Sequence, residues 1–192
     1  MTKEEILRLF RDTGALLEGH FQLSSGLHSP QYFQCAKVLQ YPQHAELLCR
    51  GIAQHFKGMK VDVVISPALG GIVVGQEVAR QLGARSIFAE RADGILQLRR
   101  GFEIKTAERV LACEDVVTTG GSIGEVLDIV KKGGGLIVGK ACIVDRTGGE
   151  PESSQRERLF SLLKMDVVTY KPAQCPLCQQ NIPLVKPGSR SV

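Results

Sequence analysis

Residues 110–122 read VLACEDVVTTGGS, and this stretch decides the fold. An apolar run ends in two adjacent acids, Glu114 and Asp115, and a loop of small residues then leads into the helical pattern of residues 123–132. Free N–H groups and the dipole at such a helix start favour a phosphate. Two carboxylates at the end of a buried strand are costly unless they bind something polar, such as sugar hydroxyls or a cation. The stretch therefore predicts a sugar-phosphate site, since a plain strand-to-helix turn would explain the threonines and glycines but not the acids.

Three further apolar runs predict strands at residues 61–66, 86–90 and 135–145, with a fourth covering 109–115. Helical patterns separate them, and strand-loop-helix repetition is typical of an α/β fold with a parallel sheet flanked by helices. Upstream, Thr2 and Glu5 form a capping box, residues 21–34 predict two extended pieces around a Ser-Gly turn, and a helix is expected from Pro42 to about Phe56. We expect a single domain over 1–192. Its parts are an N-terminal helix and hood segment (about 1–60), the α/β core (about 61–171) and an irregular C-terminal tail (about 172–192).

Composition and charge exclude several classes of protein. The chain has 192 residues, 43% of them hydrophobic, and a net charge of +4 that is spread along the sequence. A nucleic-acid binder usually concentrates its basic residues, so we expect no nucleic-acid partner. No run of about eighteen apolar residues exists and the N-terminus is a charged amphipathic helix, so we expect a cytoplasmic protein without a membrane partner.

The six cysteines include one close pair, Cys175 and Cys178, in the sequence CPLC. A structural zinc site needs a second pair or two histidines. The four histidines all lie far upstream, at positions 20, 28, 44 and 55. The spacing therefore gives no firm metal ligand, and a site at this pair is expected only if a dimer supplies its other half.

Generic phosphate motifs are absent: neither GxxxxGK followed by Ser or Thr nor GxGxxG occurs. Instead, residues 110–122 resemble the phosphoribosyl pyrophosphate (PRPP) signature of type I phosphoribosyltransferases, and SPALGG (66–71) lies where that family has its pyrophosphate loop. The resemblance implies that Glu114 and Asp115 hold the ribose hydroxyls and that Thr118 to Ser122 hold the 5-phosphate. The full set of implied PRPP-binding residues is Leu69, Gly70, Glu114, Asp115, Val116, Val117, Thr118, Thr119, Gly120, Gly121 and Ser122.

Two other stretches resemble the orotate-specific branch of this family. LSSGLHSPQYFQ (23–34) is similar to its substrate-proximal segment, which implies that Tyr32 and Phe33 flank the base. VDRTGG (144–149) is similar to the stretch whose arginine grips the orotate carboxylate, so Arg146 takes that role and Thr118 touches the base edge. The tail from Cys175 to Arg190 resembles one found in a bacterial and archaeal subset. The resemblance further implies orotate and PRPP as substrates in pyrimidine biosynthesis, Mg²⁺ bound mainly through PRPP, and a homodimer.

The expected lid departs from the family pattern. Many relatives carry two lysines and a histidine there, whereas residues 88–105 read FAERADGILQLRRGFEIK. We therefore expect Arg91, Arg99 and Arg100 to act as the catalytic pyrophosphate ligands, on a lid from about 91 to 101 that reaches toward a neighbouring subunit's site. Two alternatives within the fold stay open, a purine-base phosphoribosyltransferase and a PRPP-sensing regulator, and a noncatalytic nucleic-acid binder is disfavoured by the dispersed charge.

Overall fold

The fold is known from a computed structural model that describes residues 1–23, 25–148 and 158–187. Its strands are β1 (Leu16–Gln22), β2 (His28–Phe33), β3 (Val63–Pro67), β4 (Arg85–Ala92), β5 (Ile95–Leu98), β6 (Arg109–Val117), β7 (Leu136–Asp145) and β8 (Leu159–Lys164). Its α-helices are α1 (Lys3–Asp12), α2 (Ala36–Leu39), α3 (Pro42–Phe56), α4 (Gly70–Leu82), α5 (Gly121–Lys132) and α6 (Pro176–Gln179). A 3₁₀ turn spans Pro172–Gln174. None of the helices in these ranges is long and apolar enough to cross a membrane.

A six-stranded sheet in the order β5-β4-β3-β6-β7-β8 forms the centre of the molecule. All neighbouring strands run parallel except β4 and β5, which pair antiparallel at one edge. Helices α1, α3 and α4 contribute to the apolar core on one face of the sheet, and α5 contributes to the core on the other. Strand β3 is buried along its whole length because both of its faces are covered, which explains its continuous apolar run.

The order of the strands fixes where a ligand can bind. From β3 the chain crosses through α4 to β4 on one side, whereas β6 lies on the other side of β3 and continues through α5 to β7. Such a reversal opens a crevice beyond the carboxyl ends of the two central strands. The loops after β3 and β6 flank this crevice, and both are among the loops that the sequence analysis singled out.

The N-terminal hairpin, formed by β1 and β2, lies outside the central sheet. It is tied to the C-terminal tail by backbone hydrogen bonds: the N–H and carbonyl of His28 pair with those of Tyr170, at 2.9 and 2.8 Å. Further along, the Gln22 N–H donates to the Val185 carbonyl, at 2.8 Å. Within residues 172–187 the tail contains a 3₁₀ turn and a four-residue helix, and its remaining residues have little regular structure.

Most of the expected elements are present. The Thr2–Glu5 capping box, the helix from Pro42 to Phe56 and the four core strands are confirmed, with strand ends shifted by a few residues. Strands β5 and β8 were not predicted. Strand β5 has only four residues within the span expected to be a lid, so that span begins as a hairpin of the central sheet.

Candidate active site

The crevice between β3 and β6 brings the two central loops into contact. An ideal Cβ at Gly70 would lie 2.5 Å from Oδ2 of Asp115, closer than real side chains approach, so only glycine fits there without moving the carboxylate. At Gly71 an ideal Cβ would lie 3.4 Å from the Cys113 carbonyl oxygen. The glycines of SPALGG therefore let the start of α4 lie directly against the acids at the end of β6. The peptide bond between Ala68 and Leu69 in this loop is cis, and the Leu69 side chain is exposed.

The two acids occupy an environment that disfavours their ionised forms. Burial raises the pKa of Glu114 to about 8, and the neighbouring Asp115 charge adds to the increase. Burial also raises the pKa of Asp115, partly offset by hydrogen bonds from the backbone N–H groups of Val116 and Asp115. Neither carboxylate forms an ion pair with a basic side chain within residues 1–23, 25–148 and 158–187. Carboxylates held in this way are suited to hydroxyl donors or a cation.

The loop after β6 presents backbone donors. Gly120 caps α5 in the left-handed conformation, with φ of 76°, which glycine adopts without strain. The helix's first backbone hydrogen bond runs from the Gly124 N–H to the Gly120 carbonyl, at 2.9 Å. The N–H groups of Gly121, Ser122 and Ile123 thus lie outside the helix's own bonding pattern and at the positive end of its dipole. With Thr118 and Thr119 exposed beside them, they form a site that suits a phosphate.

Arg146 follows directly after β7, and its backbone N–H donates to the Val117 carbonyl of β6, at 2.8 Å. Its Nε is buried and has no hydrogen-bond partner among the residues that the structure describes. Burial lowers the pKa of this guanidinium, while Tyr32 and Cys35 act in the opposite direction. Asp145 holds the turn by accepting hydrogen bonds from the Thr147 N–H and hydroxyl, at 2.9 and 2.8 Å. The arrangement leaves a partly buried cation that is suited to a planar anion.

The N-terminal hairpin covers this cation. The Arg146 guanidinium carbon lies 5.8 Å from the ring centroid of Phe33, which is only 6% exposed and also packs edge-on against Phe10. Phe33 is therefore a core residue that supports Arg146. Tyr32 is partly exposed and its ring lies 5.8 Å from that of Phe21.

The buried Cys35 thiol interacts electrostatically with both Asp115 and Arg146. Burial raises its pKa well above the ordinary value, Asp115 raises it further, and Arg146 lowers it. Sequence reasoning did not single out Cys35, because its position beside Asp115 and Arg146 depends on how the hairpin lies over the sheet. Asp145 was also missed, although Asp followed two residues later by Thr is a recognisable turn signal.

Two of the three expected lid arginines pair with acids of the chain. Nη2 of Arg91 lies 2.8 Å from Oε1 of Glu125 on α5, and Nε of Arg100 lies 2.7 Å from Oε2 of Glu90. Since successive strand residues point to opposite faces of a sheet, Glu90 and its partner Arg100 lie on the face opposite Arg91. Arg99 is exposed and forms no ion pair within the described ranges. The three guanidinium groups are thus not assembled into one cluster.

Comparisons with known proteins agree with this geometry. The model of the phosphoribosyl transferase domain matches residues 37–171. An orotate phosphoribosyltransferase of Caldicellulosiruptor saccharolyticus is 57% identical over 192 residues, which are all of both chains. Among solved structures, an orotate phosphoribosyltransferase from Aeropyrum pernix superposes with a TM-score of 0.71 at 24% identity, covering 83% of this chain and 93% of that one. An adenine phosphoribosyltransferase from Thermoanaerobacter pseudethanolicus superposes with a TM-score of 0.62 at 18% identity, covering 70% and 88%, so the fold alone does not identify the base. The identity of 57% over the full length identifies the base as orotate. The chain therefore belongs to the orotate phosphoribosyltransferases of the phosphoribosyl transferase domain family.

Proposed function

We propose that this protein transfers ribose 5-phosphate from PRPP to N1 of orotate, giving orotidine 5′-monophosphate and pyrophosphate for pyrimidine biosynthesis. The structural observation that supports orotate as the base is Arg146, whose buried Nε has no partner among the described residues. A guanidinium that binds a carboxylate through two parallel hydrogen bonds gains both energy and orientation. Orotate carries such a carboxylate on a flat ring, and neutral purine bases do not.

The residues of the crevice divide among the parts of PRPP. Glu114 and Asp115 accept hydrogen bonds from the ribose hydroxyls, and the donors from Thr118 to Ser122 bind the 5-phosphate. The backbone at Leu69 and Gly70 lies beside Asp115 and serves the pyrophosphate, while Val116 and Val117 place the loop. Support for these assignments comes from the close approach of Gly70 to Asp115, which brings the two halves of the site together.

The bond between C1 and the pyrophosphate oxygen breaks with positive charge developing on the ribose ring and negative charge on the leaving group. The chain's fixed N–H donors stabilise the growing anion, and the two acids beside the ribose favour the cationic ring. Orotate N1 loses its proton and forms the new bond to C1, and pyrophosphate leaves with the electron pair of the broken bond. Arg146 and the partly exposed Tyr32 orient the base, with Thr118 at its edge, and Phe33 holds Arg146 in place.

The two acids of the crevice suit a Mg²⁺ ion because its positive charge favours their ionised forms. Two carboxylates with raised pKa values and no basic partner in the described ranges suit a hard cation that keeps most of its waters. We propose that Glu114 and Asp115 face Mg²⁺ that is held mainly by PRPP. The ion would offset the charge of the diphosphate.

Arg91, Arg99 and Arg100 remain our proposed pyrophosphate ligands. Arg99 is available as it stands, whereas Arg91 and Arg100 must exchange their contacts with Glu125 and Glu90 for the ligand. Exposed pairs of this kind contribute about 0–1 kcal/mol, so a tetravalent anion can displace them. The turn from Arg99 to Phe102, which is closed by a hydrogen bond from the Phe102 N–H to the Arg99 carbonyl, places Arg100 and Gly101 at positive φ.

The loss of orotate absorbance with PRPP and Mg²⁺ tests the proposal. We expect a Mg²⁺-dependent loss in the wild type and a fall of about 30-fold or more in kcat/KM for Arg146→Ala, because truncating one partner of a buried charge pair costs about 2–5 kcal/mol. Arg50→Ala is the control, since Arg50 is exposed on α3. PRPP-dependent conversion of adenine, xanthine or hypoxanthine without any loss of orotate would favour the purine enzyme. PRPP binding without turnover of any base would favour the regulator.

We also propose a cytoplasmic homodimer whose lid approaches the neighbouring subunit's site. Exposed apolar side chains at Leu47 on α3 and Val73 on α4, two helices packed against each other, offer a surface for a second copy. Sedimentation velocity should give twice the mass of one chain. A monomer that retains full activity would contradict both the dimer and the shared lid.

A further inference from the structure

The N-terminal hairpin and the C-terminal tail meet at a cluster of four potential metal ligands: His20, His28, Cys175 and Cys178. One ligand atom from each lies within 4.8 Å of all the others. The two histidines come from β1 and β2, and the two cysteines from the tail, 155 residues away along the chain in the case of His20 and Cys175. Three of the four are almost fully buried: His20 is 2%, His28 4% and Cys175 1% exposed.

The distances within the cluster match those of a tetrahedral zinc site. Nε2 of His20 lies 3.5 Å from the Cys175 sulfur and 3.7 Å from the Cys178 sulfur, and Nδ1 of His28 lies 3.3 Å from the Cys178 sulfur. With Zn–S bonds of about 2.3 Å and Zn–N bonds of about 2.0 Å, sulfur and nitrogen ligands are about 3.5 Å apart. The two ring nitrogens are 2.9 Å apart, so the imidazoles need to separate by only a few tenths of an ångström.

A second contact orients the first histidine for ligation. Nδ1 of His20 lies 2.8 Å from the carbonyl oxygen of Ile182, which can only accept a hydrogen bond. Nδ1 therefore carries the proton and Nε2 keeps its lone pair, directed at the two sulfurs and His28. Histidine ligands in metal sites characteristically donate their other N–H to a carbonyl or carboxylate in this way.

We propose that these four residues bind one Zn²⁺ that clasps the C-terminal tail to the N-terminal hairpin. Two thiolates and two imidazoles are soft and borderline donors that prefer Zn²⁺ to Mg²⁺ or Ca²⁺. Four protein ligands complete the tetrahedron, so the site is structural and leaves no position for a substrate. Cys178 is exposed and gives the ion a route in. This ion is separate from the Mg²⁺ that accompanies PRPP, and the assignment holds whatever base the enzyme uses.

The position of the clasp gives it a consequence for the active site. The hairpin that carries His20 and His28 also carries Tyr32 and Phe33, and Phe33 supports Arg146. Fixing the hairpin to the tail joins two segments that are distant along the chain. The metal–ligand bonds offset the conformational entropy that is lost when both segments are ordered. The tail thus fixes the position of the hairpin, which carries the residues on the proposed base-binding side of the site.

Metal analysis of the full chain, purified under reducing conditions without a metal-affinity step, tests the proposal. We expect one zinc per chain in the wild type and in His55→Gln, whose exposed histidine lies on α3, and none in Cys178→Ser. Cys178 is the position of choice because its side chain is exposed, so the substitution leaves the core intact. Chelator-treated wild type should take up one equivalent of Co²⁺ with thiolate charge-transfer and tetrahedral d–d bands that Cys178→Ser lacks.

The clasp itself is tested by hydrogen exchange. Removing the metal from the wild type should increase deuterium uptake in β1, β2 and residues 172–187, and adding Zn²⁺ should reverse the increase. Reduced protein that binds neither Zn²⁺ nor Co²⁺, or a Co²⁺ spectrum unchanged in Cys178→Ser, would overturn the metal site. A Cys175–Cys178 disulfide in freshly purified protein, seen as the loss of two hydrogens in the intact mass, would overturn it in favour of a redox pair. Metal binding without any change in exchange at these segments would overturn the clasp.

Discussion

Replacing Glu114 with glutamine should make the ligand-free protein more stable, by an amount that grows with pH. Burial beside Asp115 raises the pKa of Glu114 from 4.5 to about 8. The folded state therefore holds a proton that the unfolded chain releases, and the wild type loses stability as pH rises from about 4.5 through about 8. Glutamine resembles the protonated acid and does not titrate, so the variant escapes this loss.

The size of the effect follows from the same two values. A difference between 4.5 and about 8 corresponds to about 5 kcal/mol, at about 1.36 kcal/mol for each pKa unit. Since the side chain is only partly buried, water screens part of this cost, and we expect Glu114→Gln to gain about 2–5 kcal/mol over the wild type near pH 9. Near pH 5, where both side chains are neutral, the difference should be within about 1 kcal/mol.

Urea unfolding of both proteins between about pH 5 and about pH 9, at constant ionic strength and without PRPP, measures the difference directly. Taking the difference between variants removes the contribution of the titrating groups that do not interact with Glu114. Glu103→Gln, at an exposed position, is the matched control and should change stability by less than about 0.5 kcal/mol throughout. A Glu114→Gln difference that is independent of pH, or a variant less stable than the wild type at high pH, would refute the reasoning.

Three further substitutions test individual contacts. Arg146→Lys should lower kcat/KM for orotate about 10- to 100-fold without lowering Tm in a thermal melt. The substitution removes the planar guanidinium but keeps a positive charge in a partly buried place. A lysine variant with wild-type kinetics would contradict the bidentate role. Gly70→Ala should raise KM for PRPP about 10- to 100-fold in initial-rate assays, because the added Cβ must displace the Asp115 carboxylate. Gly58→Ala is the control and should leave KM unchanged, because Gly58 has open space around it. Arg100→Ala should reduce kcat about 10-fold or more. It should lower the free energy of unfolding by less than about 1 kcal/mol, because the ion pair of Arg100 with Glu90 is exposed. Loss of stability with normal turnover of the folded fraction would show that Arg100 is structural.

The acids and the small-residue loop at the end of β6 were predictable from sequence because they are local. Glu114, Asp115 and the loop to Ser122 are contiguous, and one strand, one turn and one helix start suffice to place them. The strands of the parallel sheet were predictable for a similar reason, since burial on both faces produces a continuous apolar run. Strand β5 was missed because four half-exposed residues at an edge carry no such signal.

Other features that escaped prediction depend on long-range contacts. Phe33 looked like a base-stacking residue, but its position on β2 places it in the core under Arg146, which no local pattern reveals. The histidines at positions 20 and 28 were set aside as too distant from the CPLC pair. They meet it because two isolated backbone bridges, Tyr170 with His28 and Val185 with Phe21, bring the tail back onto the hairpin. Ligand spacing along the sequence is a reliable guide only when one compact element carries all the ligands.

Without substrates, the crevice contains two acids and one arginine whose charged forms have no compensating ion pair among the described residues. Glu114 and Asp115 are driven toward their neutral forms by burial, and Arg146 is partly desolvated without a described partner for its Nε. Each is an unfavourable feature of the folded chain alone, and in the proposed complex each would be relieved by one part of the substrates: hydroxyls and a cation for the acids, a carboxylate for the arginine. Substituting these residues with neutral ones should therefore stabilise the fold and weaken catalysis together. That opposition separates site residues from structural ones such as Phe33, whose loss would harm stability first.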